Sequence, residues 1–272
     1  MNRRILLLSG LALALAATPA AAQRFEPARF TVETVGRGPD VILIPGLTSG
    51  REIWRATAAL PGYRFHLIQV SGFAGEPARG NRAGPVVTPL ADEIVRYIAD
   101  RRLVRPAIVG HSMGGTLAMM IAVRRPDLAG RIMVVDMLPQ PAGLLGGSAR
   151  DAGPLADFIA TPGGGRLFGA LMGAFTPPGS TNSRSDPAVV GRATQELMRI
   201  DLTPQLPRIR APFTIVYGSP DRQANAAIDR SFARAYAAAP RARLVRIDGS
   251  GHMVMLDQPA RFRAALVDFL RR

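Results

Sequence analysis

The segment Gly110-His111-Ser112-Met113-Gly114 is the part of the sequence whose residue types and spacing point most directly to chemistry. It lies between an apolar run and a helical pattern. A serine on a tight strand-to-helix turn is held in a strained backbone conformation, and only glycine fits easily two residues before and two residues after it. The turn lifts the hydroxyl clear of the sheet. The segment therefore predicts a nucleophilic Ser112, with Gly110 and Gly114 as the glycines of the turn.

A serine hydroxyl is a poor nucleophile until a base removes its proton, and the sequence contains three histidines. His111 adjoins Ser112, so its side chain is expected to point elsewhere and to pack or to form a pocket wall. His66 lies within a predicted strand and is expected to be a partly buried histidine. His252 is the predicted base, because it lies in a turn after a late strand, where open parallel sheets bind ligands.

The base in turn needs an acid that holds its tautomer. Asp221 follows the predicted strand at 213–217, and Asp136 directly follows the one at 132–135, so both lie at strand carboxyl ends. Asp248 and Asp257 are so close to His252 along the chain that they would reach its ring awkwardly. We expect Asp221 to be the acid, with Asp136 as the alternative.

The elements that must position these residues alternate along the chain. Apolar runs predict strands at 41–44, 65–70, 107–109, 132–135, 213–217 and 244–247, and amphipathic stretches predict helices at 91–103, 116–125, 226–239 and 259–270. This alternation predicts an α/β fold in which helices cover both faces of a mostly parallel, twisted sheet.

The alternation stops between residues 138 and 206, a stretch rich in Gly, Pro and Ala and poorer in charge than the whole chain. We expect a helical lid there, inserted before the strand that carries Asp221 and covering a pocket for an uncharged, apolar substrate. A surface loop is the alternative, but structureless loops of this length are uncommon in compact domains.

Composition excludes several other kinds of chemistry. The chain has 272 residues and no cysteine, so disulfides, thiolate metal sites and cysteine nucleophiles are ruled out. Three histidines make a multi-histidine metal cage improbable, and we expect no metal or organic cofactor. The net charge is +14 and every basic residue is Arg, but the charges are scattered, which disfavours a nucleic-acid partner. Binding to an anionic membrane surface or polyanion is a remaining alternative.

The amino terminus has the order of a secretory signal peptide. Arg3 and Arg4 precede an apolar stretch at 5–17, and Ala20-Ala21-Ala22 offers a cleavage site before Gln23. The stretch is short for a membrane span, although an uncleaved anchor is the alternative. We therefore expect residues 1–22 to be removed and residues 23–272 to act as one exported domain, periplasmic or secreted.

The order Ser112, Asp221, His252 resembles the nucleophile–acid–base order of the α/β-hydrolase superfamily. Further matching segments extend the resemblance over roughly residues 30–270: Ile44-Pro45-Gly46-Leu47, Gly72-Phe73-Ala74-Gly75, Gly218-Ser219-Pro220-Asp221 and Gly251-His252. Within that family the sequence is most similar to capped, single-domain serine esterases. Ser112 departs from the dehalogenases and epoxide hydrolases, whose chemistry requires a carboxylate nucleophile.

The resemblance implies an oxyanion hole formed by two backbone N–H groups, those of Leu47 and Met113. It also implies a hydrolase that cleaves carboxylic esters or lactones through an acyl-enzyme on Ser112. The same three residues would also serve amide or C–C hydrolysis, acyl transfer or cofactor-free perhydrolysis. A non-catalytic binding protein built on the same fold is the alternative of a different class. The oligomeric state does not follow from the sequence.

Overall fold

The computed structural model describes residues 25–145, 147–149, 181–239 and 241–272, together with single positions at 154, 157, 158, 161 and 163. The predicted signal peptide at 1–22 and much of the predicted lid therefore lie outside the described residues. Within the described part, no helix is both long enough and apolar enough to cross a membrane.

One seven-stranded sheet organises the described chain. Its strands are β1 (Phe30–Gly36), β2 (Asp40–Ile44), β3 (Arg64–Val70), β4 (Ala107–His111), β5 (Arg131–Val135), β6 (Phe213–Ser219) and β7 (Arg243–Asp248). The spatial order is β1-β3-β2-β4-β5-β6-β7. Only β1 runs antiparallel to its neighbour β3; every other pairing is parallel. The carboxyl ends of six strands therefore meet at one edge of the sheet.

Helices connect these strands. They are α1 (Arg55–Ala58), α2 (Val87–Asp100), α3 (Met113–Arg124), α4 (Pro187–Arg199), α5 (Asn225–Ala235), α6 (Val254–Asp257) and α7 (Pro259–Arg271). Short 3-10 helices lie at Arg51–Trp54, Arg79–Asn81, Pro141–Leu145, Thr181–Arg184 and Thr203–Arg208. Helices α4 and α7 begin with proline, whose missing N–H costs no hydrogen bond at that position.

Buried side chains form two clusters, one on each face of the sheet, which confirms the predicted layering. One cluster packs α2, α3 and α4 against alternate strand residues such as Ile42 and Ile108. The other packs Trp54 and the apolar face of α7 against the intervening residues, such as Leu43 and Val109. Strands buried on both faces read as continuous apolar runs, which is why their positions could be predicted.

One feature of the sheet differs from the sequence expectations. Strand β1 was not predicted; it is an edge strand with only Phe30 fully buried, so its apolar pattern is weak. The stretch at 138–206 contains α4 and short 3-10 helices among its described residues, and no strand there. Helix α4 docks on the body of the protein through the carboxylate of Glu196, which accepts from the N–H groups of Val86, Val87 and Thr88 at the start of α2.

Candidate active site

Ser112 occupies the sharp turn between β4 and α3, as its sequence context predicts. Its backbone has φ 52° and ψ −120°, a conformation that costs a non-glycine residue about 1–3 kcal/mol. The turn is held by the Ser112 N–H donating to the Val135 carbonyl at 2.9 Å, and by the Ser112 carbonyl accepting from Gly115 and Thr116. The strained serine is thus fixed at the carboxyl ends of the central strands β4 and β5.

The two glycines of the turn are required by close backbone approach. A Cβ atom on Gly110 would lie 2.0 Å from the Gly114 carbonyl oxygen, and one on Gly114 would lie 2.2 Å from the carbonyl oxygen of Ile44. Because both obstacles are backbone atoms, no side-chain movement could relieve them. The G-x-S-x-G spacing therefore follows from how tightly α3 packs against the ends of β2 and β4.

His252 lies in the loop between β7 and α6, and this loop is anchored from two sides. The N–H groups of Gly249 and Ser250 both donate to the Ser219 carbonyl at the end of β6. On the other side the Asp257 carboxylate accepts from the Gly251 N–H at 2.9 Å. Asp257 thus serves to hold the loop. The imidazole of His252 is 29% exposed.

The carboxylate that contacts His252 is that of Asp136, the alternative acid, whereas the expected acid Asp221 does not contact it. Asp136 Oδ2 lies 2.6 Å from His252 Nδ1, and Asp136 Oδ1 accepts from the Gly218 N–H at 3.0 Å. The carboxylate side chain is 13% exposed. A carboxylate that accepts from Nδ1 keeps that nitrogen protonated, which leaves Nε2 able to act as a base.

Backbone geometry explains why Asp136 reaches the histidine and Asp221 does not. Asp136 directly follows β5 with φ 51°, and its N–H donates to the Val216 carbonyl, which turns its side chain across the end of β6. Asp221 lies beyond the end of β6, is exposed, and its Oδ1 accepts from the Ala224 N–H just before α5. Consequently the insertion at 138–206 follows the strand that carries the acid, and does not precede it as expected.

His111 packs directly against His252. Its Nε2 donates to the His252 carbonyl at 2.9 Å, and the two ring centroids lie 4.6 Å apart. Burial lowers the pKa of His111 well below 6.5, and the adjacent His252 lowers it further. Burial therefore favours the neutral form of His111 beside His252. The sequence predicted a packing residue here, but not that its partner would be the base itself.

One predicted oxyanion donor directly follows Ser112, and the other lies in the turn after β2. Met113 is the first residue of α3, so its N–H belongs to the first helical turn, which has no acceptor within the helix. Leu47 lies in the turn after β2, which is closed by the Ser49 N–H donating to the Gly46 carbonyl. Gly46 brings this turn against the nucleophile, since a Cβ atom there would lie 3.0 Å from Ser112 Cβ.

The third histidine belongs to a separate cluster on β3. His66 is buried on β3, where its ring nitrogens contact Tyr97 Oη and Asp40 Oδ1, each at 2.8 Å. Burial lowers its pKa, although the bond to Asp40 opposes this shift. Among the residues that the structure describes, no group of three or more His, Asp or Glu side chains is arranged to hold a metal ion.

Comparison with known proteins identifies relatives over nearly the whole described fold. A model of the alpha/beta hydrolase family matches residues 41–265. A pimeloyl-[acyl-carrier protein] methyl ester esterase from Aromatoleum aromaticum is 27% identical over 259 aligned residues, which cover 86% of this chain and 98% of that protein. Polyketide synthase ThaQ from Burkholderia thailandensis is 29% identical over 270 aligned residues, which cover 89% of this chain but only 12% of the synthase.

Among solved structures, the enol-lactonase from Burkholderia xenovorans superposes with a TM-score of 0.72 at 20% identity, covering 89% of this chain and 96% of that chain. At that identity the likeness shows a shared fold.

Proposed function

We propose that this chain, which belongs to the alpha/beta hydrolase family, hydrolyses carboxylic esters or lactones through an acyl-enzyme on Ser112. The observation that carries the proposal is the bond between Asp136 and His252, packed beside the strained Ser112 turn. Relatives named as a methyl ester esterase and an enol-lactonase support an ester substrate.

In the proposed reaction, His252 Nε2 takes the proton of the Ser112 hydroxyl while Oγ attacks the carbonyl carbon. The carbonyl oxygen becomes an oxyanion, which the N–H groups of Leu47 and Met113 stabilise. His252 then gives its proton to the leaving alcohol, and the ester C–O bond breaks. Water attacks the acyl-enzyme by the same route: His252 accepts a proton from water and returns it to Ser112 Oγ as the acid leaves.

Asp136 stabilises the protonated form of His252 during both steps, because its carboxylate lies on Nδ1. His111 remains neutral beside it, so no like-charge repulsion opposes that protonation. The anchored loop at 249–251 keeps the ring in place with no further reorganisation.

Hydrolysis of p-nitrophenyl butyrate tests the proposal. The Ser112→Ala variant should lose activity by a factor of about a thousand or more while its thermal unfolding stays cooperative. Full activity in that variant would refute the proposal. Product analysis with added alcohol, amine and peroxide separates hydrolysis from acyl transfer, amide chemistry and perhydrolysis, and esters graded by acyl length define the substrate.

Export remains a separate proposal, which rests on the signal-peptide pattern at 1–22 alone. Mass spectrometry of the protein recovered from a bacterial host tests it. A mature chain that begins at Gln23 supports cleavage, whereas an intact amino terminus in the membrane fraction supports the anchor instead.

A further inference from the structure

The hydroxyl of Ser185 joins the turn that carries Leu47 to the loop at 72–74. Ser185 Oγ accepts from the Ala74 N–H at 2.9 Å and donates to the Thr48 carbonyl at 3.1 Å. We propose that Ser185, which belongs to the insertion at 138–206, is a positioning residue that holds the Leu47 N–H in its oxyanion-binding orientation. The inference rests on the proposed function, and it adds that a residue of the insertion sets the geometry of the same site.

The turn that carries Leu47 needs support from outside. Thr48 has φ 64°, a left-handed conformation that a β-branched residue adopts at a cost. Within the turn, Ser49 N–H donates to the Gly46 carbonyl at 3.2 Å and Thr48 Oγ1 donates to the Leu47 carbonyl at 2.6 Å. Strained turns persist where surrounding contacts fix them. Ser185 supplies such a contact at the Thr48 carbonyl, one residue beyond the oxyanion donor.

Ser185 can act as a fixed point because the chain after it is anchored. The Asp186 N–H donates to the Gly72 carbonyl at 2.7 Å, and the Asp186 carboxylate accepts from Ala188 and Val189 at the start of α4. Val189 packs on Gly72 so closely that a Cβ atom on that glycine would lie 2.8 Å from Val189 Cγ2.

The far end of α4 is anchored as well, by the Glu196 carboxylate on the start of α2. The helix therefore sits against the body of the protein at both ends. The oxyanion turn, the loop at 72–74 and the first residues of α4 form one hydrogen-bonded unit, in which Ser185 is the link. Removing the link frees the turn to flip the peptide that carries the Leu47 N–H.

Loss of the Ser185 hydroxyl should lower kcat and leave KM nearly unchanged. An oxyanion donor acts on charge that develops in the transition state, so its displacement affects the chemical step. Loss of one donor costs about a hundredfold or more in kcat. A donor that is misplaced in about nine-tenths of the molecules should therefore cost about tenfold. Ser185→Ala should show that loss, with KM for p-nitrophenyl butyrate changed by less than about twofold.

Three further variants make the test specific. Ser185→Thr keeps a hydroxyl and should restore most of the lost kcat, whereas Ser185→Cys keeps the side-chain size with a weaker donor and should not. Ser183→Ala, at an exposed serine two residues earlier, is the matched control and should keep wild-type kcat. Inhibition by phenylboronic acid, whose serine adduct places a negative oxygen in the oxyanion site, should weaken about tenfold in Ser185→Ala, in parallel with kcat.

Amide hydrogen exchange separates this inference from the proposed function. The Ala74 N–H should exchange faster in Ser185→Ala than in Ser183→Ala, whether or not the protein hydrolyses esters. Unchanged exchange there would overturn the link itself. Faster exchange with unchanged kcat in an active enzyme would overturn the positioning role. If wild type and Ser112→Ala were equally active, the proposed function would fail, and with it the assigned role of Ser185, even if the link persisted.

Discussion

Replacing Asp136 by Asn provides the sharpest perturbation of the proposed proton relay. The structure fixes how the new amide would sit. Asp136 Oδ1 accepts from the Gly218 N–H and Oδ2 faces His252 Nδ1. In Asp136→Asn the amide oxygen keeps the Gly218 bond, so the NH₂ group faces Nδ1. That nitrogen must then act as an acceptor, and the imidazole proton moves to Nε2.

An imidazole protonated on Nε2 cannot take the proton from Ser112. The expected loss in kcat is about ten-thousandfold, which corresponds to about 5.5 kcal/mol in the activation free energy. Asp221→Asn is the matched control, since Asn can still accept from the Ala224 N–H before α5. Its kcat should stay within about twofold of wild type, as for most exposed substitutions.

Both variants should be assayed on p-nitrophenyl butyrate at pH 7.5, with thermal unfolding followed by circular dichroism. A variant that unfolds at a much lower temperature is not informative about the relay. A folded Asp136→Asn variant that keeps more than a tenth of the activity would contradict the relay through Asp136. Loss of activity in Asp221→Asn instead would contradict it still more clearly.

Two further predictions concern the groups packed around Ser112. Burial holds the folded-state pKa of His111 well below 6.5, so below that pH the unfolded chain binds a proton that the folded chain does not. The resulting contribution to the free energy of unfolding is present above pH 6.5. As the pH falls below 6.5, it is lost by about 1.4 kcal/mol per pH unit. Urea unfolding at pH 7.5 and 5.5 should therefore show a smaller pH difference for His111→Gln than for wild type, and equal differences would contradict this. Gly46→Ala should lower kcat/KM by about tenfold or more, because its Cβ would lie 2.8 Å from His111 Nδ1 and 3.0 Å from Ser112 Cβ; steady-state kinetics that match wild type would show that the turn adapts.

The central strands and the elbow could be predicted because their constraints are local. Strands β2, β4 and β5 are buried on both faces, so each reads as an uninterrupted apolar run. The glycines around Ser112 are imposed by backbone approach within one strand–helix unit. Edge strand β1 has mostly half-buried residues, so its apolar pattern is weak.

The choice of acid could not be made from local pattern. β5 and β6 are adjacent parallel strands, so an aspartate after either one lies near the loop of His252. The backbone conformation after each strand decides which aspartate contacts His252. Asp136 has a positive φ directly after β5, whereas the Asp221 side chain is bonded to the Ala224 N–H before α5. One sequence signal favoured Asp136 as the acid, because Asp136 directly follows its strand while Asp221 does not. The link through Ser185 joins residues more than a hundred positions apart and has no sequence signal.

The most direct test of the central claim is to identify the residue that a fluorophosphonate labels. The reagent requires an activated serine and a site that stabilises negative oxygen, and it leaves a stable adduct readable by peptide mass spectrometry. We expect one adduct on Ser112 in wild type, much slower labelling in Asp136→Asn, and no adduct at that position in Ser112→Ala. An unlabelled wild-type protein, or an adduct on a different serine, would contradict it.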